Sequence, residues 1–389
     1  MRPALALVVL AACGRIGFDS FSGGGGGGGG GDAGRDSRVS DTPADAPADA
    51  ASLCTPFDHT YAASNFGVAG LAWMGSQYAI LTIDGLATIS ETGALGAFTP
   101  LSPAPTTSGA GQNGIAWGAN ELAVIWVASG GRVEAQLFDS TLAPINTPQT
   151  LEPLGMDRAH IAYADTGFVA TWHVASGELG IAEVSTSGSV VAGPYGTTSS
   201  GAITDTQSVV AINGSYLVGY YQAGGIPGLI AFNKPLDGNA SGPTITLGAS
   251  QVTYLQLANV PSGAVILQAA GTGAGTGYAQ ILGAGGVATS GMIALPTDGG
   301  NVMNFATAVA TGGAPIIAGI TGAAPAQIVT AQLDIGGAAF GPLHEVATQA
   351  VSAYGPVAAA HAPGRLLLAI PYSDMGGATS HTRLIHICN

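Results

Sequence analysis

The residues able to do chemistry in this chain are few. His361, His381 and His386 all fall near the C-terminus. Five positions separate His381 from His386, an odd spacing that puts them on opposite faces of a strand, so no three-histidine metal site is expected. Asp41, Asp45 and Asp49 recur every four residues, without the alternating oxygen ligands and central glycine of a calcium loop. The run GTGAGTG (271–277) has neither the lysine nor the following helix of a phosphate loop and reads as a hairpin turn between VILQAA and YAQIL. No G-x-S-x-G, H-E-x-x-H or C-x-x-C is present. Asp157 and Asp205 are the carboxylates available for acid–base work, which in a glycosidase requires a partner roughly 5–9.5 Å away. No catalytic residue, metal or cofactor is therefore assigned. What remains is a set of hydrogen-bonding side chains, Gln112, Arg158, Gln207, Tyr254 and Asn304, each four residues before a recurring alanine. Three cysteines complete the inventory: Cys13, Cys54 and Cys388.

Composition limits what can position these residues. Of 389 residues, 8% are charged, 47% are hydrophobic and 62 are glycine, with Lys234 the single lysine. Soluble helices cover their outer faces with Lys and Glu. A chain of Gly, Ala, Ser, Thr and Val instead suits short strands joined by tight turns. Beyond Cys54 there are 17 acidic and five basic residues. Nucleic acid is excluded as a partner, because phosphate binding needs clustered Lys and Arg.

The N-terminus reads as an address. Met1–Arg2 is a short positive start, Ala4 to Ala12 are apolar, and Leu10-Ala11-Ala12-Cys13 resembles the lipobox of bacterial lipoprotein signal peptides. The resemblance implies cleavage before Cys13 and a diacylglycerol on its sulfur. An ordinary secretory signal, or an apolar N-terminus with a chance cysteine, is the alternative. The apolar run is about half the ~20 residues of a membrane-spanning helix, so the expected membrane association is the lipid anchor alone. Gly14 follows the cysteine, which by resemblance to enterobacterial sorting permits delivery to the outer membrane or cell surface. Residues 14–53 are mostly Gly, Asp, Ala, Pro and Ser, including nine consecutive glycines and the tract DTPADAPADA. Such a segment has too little apolar surface to offset its ordering entropy and is expected to be a disordered tether, reaching roughly 35 Å. The expected division is a signal peptide at 1–12, lipidated Cys13 and linker at 13–53, and one folded body at 54–389.

The folded body repeats. GLAWMGSQYAILTIDG (70–85), GIAWGANELAVIWVASGG (114–131), HIAYADTGFVATWHVASGE (160–178) and VVAINGSYLVGYYQAGG (209–225) share an apolar strand, a short turn and a second apolar strand. Fainter copies begin near residues 256, 307 and 357. A common alanine marks seven units: Ala72, Ala116, Ala162, Ala211, Ala258, Ala308 and Ala359, spaced 44 to 51 apart. Two more strands follow in each unit. Four short antiparallel strands per roughly 48 residues resemble the blades of a seven-bladed β-propeller, although no WD, kelch or Asp-box signature is present. A β-sandwich pair or a solenoid would also supply many short strands. Trp126, Trp172 and Tyr221 fall ten residues past their markers and are expected to pack blade against blade.

The resemblance accounts for the remaining candidates. The last unit has three strands, so its outer strand must be CTPFDHTYAA, which precedes the first blade. Antiparallel pairing then sets Cys54 beside Cys388, and an extracytoplasmic protein is expected to join them. Inner strands line a propeller's channel, so Gln112, Arg158, Gln207, Tyr254 and Asn304 are expected to ring one mouth and bind a polar ligand. Blades one and seven carry Val68 and Gly355 there. The function expected is an extracytoplasmic, monomeric binding or scaffold module for a protein, peptide or glycan. The alternatives are a propeller glycosidase or lyase using Asp157 or Asp205, and a structural surface component.

Overall fold

A computed structural model describes residues 54–63, 67–106, 114–197, 203–212, 214–222, 226–239, 245–246, 252–260, 263–270, 277–283, 286–296, 302–309, 314–321, 326–349, 353–354, 357–373 and 380–388. The lipobox, Cys13, the linker with Asp41, Asp45 and Asp49, Gln112, Gly355 and residues 271–276 lie outside them. Among the described residues the regular structure is antiparallel strand, arranged in seven sheets. The first strands of the seven units are Val68–Trp73, Ile115–Gly118, Gly155–Tyr163, Ile203–Ile212, Val252–Val260, Val302–Val309 and Ala358–Ala362, and each carries one marker alanine. Each first strand packs against the first strands on either side, and the seventh packs against the first. The array closes into a ring, with the first strands innermost. The fold is a seven-bladed β-propeller.

Two-sided burial explains why the second strands are almost wholly apolar. The core is divided into seven clusters, one between each pair of neighbouring blades. Successive side chains of a strand point to opposite faces, so one strand feeds two clusters. In blade two, Leu122, Val124 and Trp126 face blade one, while Ala123, Ile125 and Val127 face blade three. In blade seven, Leu366, Leu368 and Ile370 face blade six, while Leu367 and Ala369 face blade one. The large aromatics occupy these interfaces as expected: Trp126 between blades one and two, Trp172 between two and three, Tyr221 between four and five.

Blade one departs from four regular strands. Its outer segment makes only isolated bridges, Ile89 to Leu95 and Leu86 to Thr99. Gly93, Gly96 and Pro100 interrupt it, and proline offers no donor to a ladder. Blade six divides its outer position between Ala339–Phe340 and His344–Gln349.

The N-terminal strand closes the ring. Phe57–Ala63 is the outer strand of blade seven and pairs antiparallel with Ser380–Cys388, from Phe57 opposite His386 to Ala63 opposite Ser380. Cys54 and Cys388 are joined, their Cα atoms 5.7 Å apart. Arg383 Nε donates to Asp58 Oδ1 at 2.7 Å and its Nη1 to Thr348 O of blade six at 2.8 Å, adding a bond to each side of the clasp.

Two outcomes test this architecture. Trp172 pairs with Gly180 on the neighbouring strand, and a Cβ there would sit 2.2 Å from the indole. Gly180→Val is expected to lower stability by about 1–3 kcal/mol through overpacking, read as a fall in the urea midpoint. Cys54 and Cys388 are 334 positions apart, and chain-entropy arguments give such a closure on the order of 5 kcal/mol. The Cys54→Ser, Cys388→Ser variant should lose stability by an amount approaching that figure. An unchanged midpoint would mean that the strand ladder alone closes the ring.

Candidate functional site

The ring's two faces carry different groups. All seven inner strands run in one direction. Gly114 N donates to Ala69 O at 2.8 Å near one end, and Asn259 Nδ2 donates to Ala211 O at 2.8 Å near the other. One face therefore collects the strand starts. The other collects the strand ends, the turns after the third strands and the clasp.

The expected ligand-binding residues belong to the starting face. Arg158 Nη1 forms an ion pair with Asp205 Oδ2 across the seam between blades three and four. The side chains are 33% and 17% exposed. A pair this exposed contributes on the order of 0–1 kcal/mol, so stability is a weak reason for its presence. Gln207, Tyr254 and Asn304 lie in the corresponding inner strands.

A recurring backbone irregularity falls at these same positions. Thr206 pairs with Tyr220 and Ser208 with Gly219, which leaves Gln207 bulged. Ala159 pairs with Trp172 and Gly155 with Val174, so residues 156–158 oppose His173 alone. Asn304 and Phe305 oppose Gly319 alone. Thr253, beside Tyr254, is bulged, as is Ala69 in blade one. A bulge twists the strand locally and re-aims a side chain, so the polar positions share a backbone device as well as a sequence offset. Sequence periodicity locates the offset but cannot show a bulge, because the extra residue leaves the repeat spacing intact.

A second polar cluster lies at the clasp, and sequence reasoning did not assemble it. His386 is 2% exposed. Its Nδ1 stands 2.8 Å from Thr55 O. A carbonyl only accepts, so Nδ1 carries the proton and the Tyr78 hydroxyl donates to Nε2 at 3.2 Å. Phe57 stacks on the ring at 4.9 Å. Arg365 pairs with Glu91 and lies 5.4 Å from the centroid of Trp73. Burial lowers the pKa of His386, partly offset by the bond to Thr55 O. Burial also raises the Tyr78 phenol far above its ordinary range. His386 and Leu384 face blade one, while Ile385 and Ile387 face blade six. His381 stacks instead on Tyr372 at 5.1 Å, and His361 lies in the inner strand of the same blade.

A turn motif also escaped the sequence reading. SETGA (90–94), DSTLA (139–143) and STSGS (185–189) follow the third strands of blades one to three. Asp139 Oδ1 accepts from Thr141 N at 2.8 Å and Ala143 N at 3.0 Å, and Ser90 Oγ accepts from Ala94 N at 3.0 Å. The fourth residue is left-handed each time, at φ 85° for Gly93, 64° for Leu142 and 80° for Gly188. The legible signal was Ser or Asp with Thr or Ser two residues on, shortly after the third strand. These turns hydrogen-bond to themselves.

No protein-family profile matches the chain, and no curated protein matches it in sequence. Solved structures match its shape. A chain of the mitotic checkpoint complex superposes at TM-score 0.53 with 12% identity over 91% of this chain and 100% of its own. The periplasmic gluconolactonase of Pseudomonas aeruginosa gives 0.51 with 11% identity, over 82% and 98%. A putative 6-phosphogluconolactonase of Bacteroides uniformis gives 0.51 with 12% identity, over 80% and 93%. Likeness at this identity establishes the fold alone.

The state of His386 has a measurable consequence. In the unfolded chain a histidine takes up a proton near pH 6.5, whereas the folded His386 stays neutral to lower pH because burial, with Arg365 beside it, opposes its charge more than the bond to Thr55 O and Glu91 favour it. Below pH 6.5 the unfolded state binds more protons and stability falls as pH falls. The melting temperature should decrease from pH 7 to pH 5.5, and His386→Asn should flatten that slope while lowering the plateau. Parallel slopes for the two proteins would refute the assignment.

Proposed function

We propose that the protein is an extracytoplasmic binding or scaffold module, held at the cell envelope of a bacterium by a lipid on Cys13, whose ligand is a protein, peptide or glycan. The observation that carries the reading is the Arg158–Asp205 pair at the bulged starts of the inner strands, on the face opposite the clasp. The linker joins the body at Cys54, on the strand-end face. A tether attached there leaves the starting face free to turn away from the surface that holds it. Hydrogen-bonding groups repeated around a ring suit a ligand with several hydroxyl or amide groups better than a single small anion.

An enzymatic reading has less support. Asp205 is committed to Arg158. Among the described residues, the cluster of three or more His, Cys, Asp or Glu groups close enough to hold a metal ion is the one at the clasp, not at this face. The gluconolactonases share the fold but, at 11–12% identity, supply no residue correspondence.

One experiment separates the readings. The full chain, extracted from membranes with detergent, is applied to arrays of glycans, peptidoglycan fragments and peptides, and sugar lactones and glycosides are assayed for turnover alongside. Binding without turnover is expected. Arg158→Ala combined with Gln207→Ala should weaken it at least tenfold with the melting temperature unchanged. Cys13→Ser should move the protein from the membrane to the soluble fraction. Turnover, or binding indifferent to the double variant, would overturn the proposal.

A further inference from the structure

The seam that closes the ring gathers three soft donor atoms. The Sγ atoms of Cys54 and Cys388 and a ring nitrogen of His386 lie within 4.8 Å of one another, and Cys54 Sγ is 4.0 Å from His386 Nδ1. Two thiolates and an imidazole form a recurring zinc donor set that leaves a fourth position for water, and thiolate ligands favour zinc and copper(I) over hard cations. In the cystine the two sulfurs are spent on each other. We propose that the cystine is one of two working forms of the clasp, and that the reduced form binds one thiophilic divalent cation, of the zinc class, through Cys54, Cys388 and His386.

The conversion balances. A dithiol reductant gives two electrons and two protons to the S–S bond and becomes a disulfide, leaving two protein thiols. Metal binding then displaces both thiol protons. Cys54 and Cys388 are both partly exposed, so a dithiol can reach the bond. Tetrahedral zinc with sulfurs at about 2.3 Å holds them about 3.8 Å apart, so the two sulfurs must move apart once the bond between them is reduced. The chain allows it. Cys54 precedes the strand ladder, which begins at Phe57, and Cys388 ends the last strand. The spacing of sulfur and nitrogen already suits a shared metal.

The surroundings of His386 suit it as a ligand. Nδ1 gives up its bond to Thr55 O on binding, and the proton moves to Nε2. There the Tyr78 hydroxyl, 3.2 Å away, reverses from donor to acceptor. Metal-bound histidines almost always have such a partner on the other ring nitrogen. Thr55 adjoins Cys54 and moves with it. The reading departs from the sequence-based expectation of no metal site, because only the folded seam brings a residue 332 positions from Cys54 to its sulfur. It is independent of any ligand at the opposite face.

The test uses the full chain carrying Cys13→Ser, so that one thiol is not confused with the pair. Protein reduced with dithiothreitol and freed of it anaerobically is titrated with zinc against a chromophoric chelator. One zinc per reduced chain is expected, and none in the oxidised chain. Cys54→Ser combined with Cys388→Ser should abolish binding, and His386→Asn should weaken it 10- to 100-fold, with Tyr78→Phe weakening it less. X-ray absorption of the reduced zinc form needs no variant. It should show two sulfurs at about 2.3 Å and at least one nitrogen near 2.0 Å. Zinc bound equally by the oxidised chain, binding that survives loss of both cysteines, or a first shell lacking nitrogen would each overturn the proposal.

Discussion

Each sheet of this protein is apolar on both faces, and no sheet can be stable without a neighbour on each side. That constraint forces the ring. A row of such sheets would leave two apolar faces in water at its ends, each worth several buried side chains at about 1.5–3 kcal/mol apiece. Closing the row removes both ends at once. The scarcity of charge follows from the same cause. A second strand such as Glu121–Val127 begins on a partly exposed acid and then buries six consecutive residues. Sheets covered on both sides read as continuous hydrophobic runs, not as alternation.

Closure concentrates the structural risk at one seam. Six interfaces join blades made of consecutive chain, and the seventh depends on the chain's two ends finding each other. Three kinds of interaction converge there: the seven-residue ladder from Phe57 to Ala63, the cystine, and the Arg383–Asp58 ion pair. The polar groups buried beside them, His386, Tyr78 and Arg365, are costly to bury unless hydrogen-bonded or paired. Their partners come from blade one, blade seven and the segment before the clasp strand. The seam is thus cross-linked in three directions.

How much of this was legible follows from what sequence spacing preserves. The marker alanines kept their interval because each sits in an inner strand that must be replaced once per blade. Trp126, Trp172 and Tyr221 were readable as core because a large side chain at a fixed offset from the marker meets the same neighbour every time. The partnership of Cys54 with Cys388 followed from counting strands. Two features did not follow. The bulges around residues 156–158, Gln207 and Asn304 change hydrogen-bond pairing without changing the repeat length. The approach of Tyr78 to His386 joins residues 308 apart that no local pattern relates. Periodicity carries what repeats, and the clasp is a place where the repeat is broken.

That break bears on where specificity can arise. A perfect seven-fold ring would offer seven equal sites and no preferred orientation for a ligand larger than one blade. Four residues before the marker alanine, blades two to six carry Gln112, Arg158, Gln207, Tyr254 and Asn304, while blades one and seven carry Val68 and Gly355. In sequence the polar residues at this offset therefore fall in five consecutive blades, and the two blades without one are those that meet at the clasp. The ligand proposed above, if held by these residues, would sit off-axis with a defined direction. The closure that completes the fold thus also falls in the two blades whose sequences carry no polar residue at this offset.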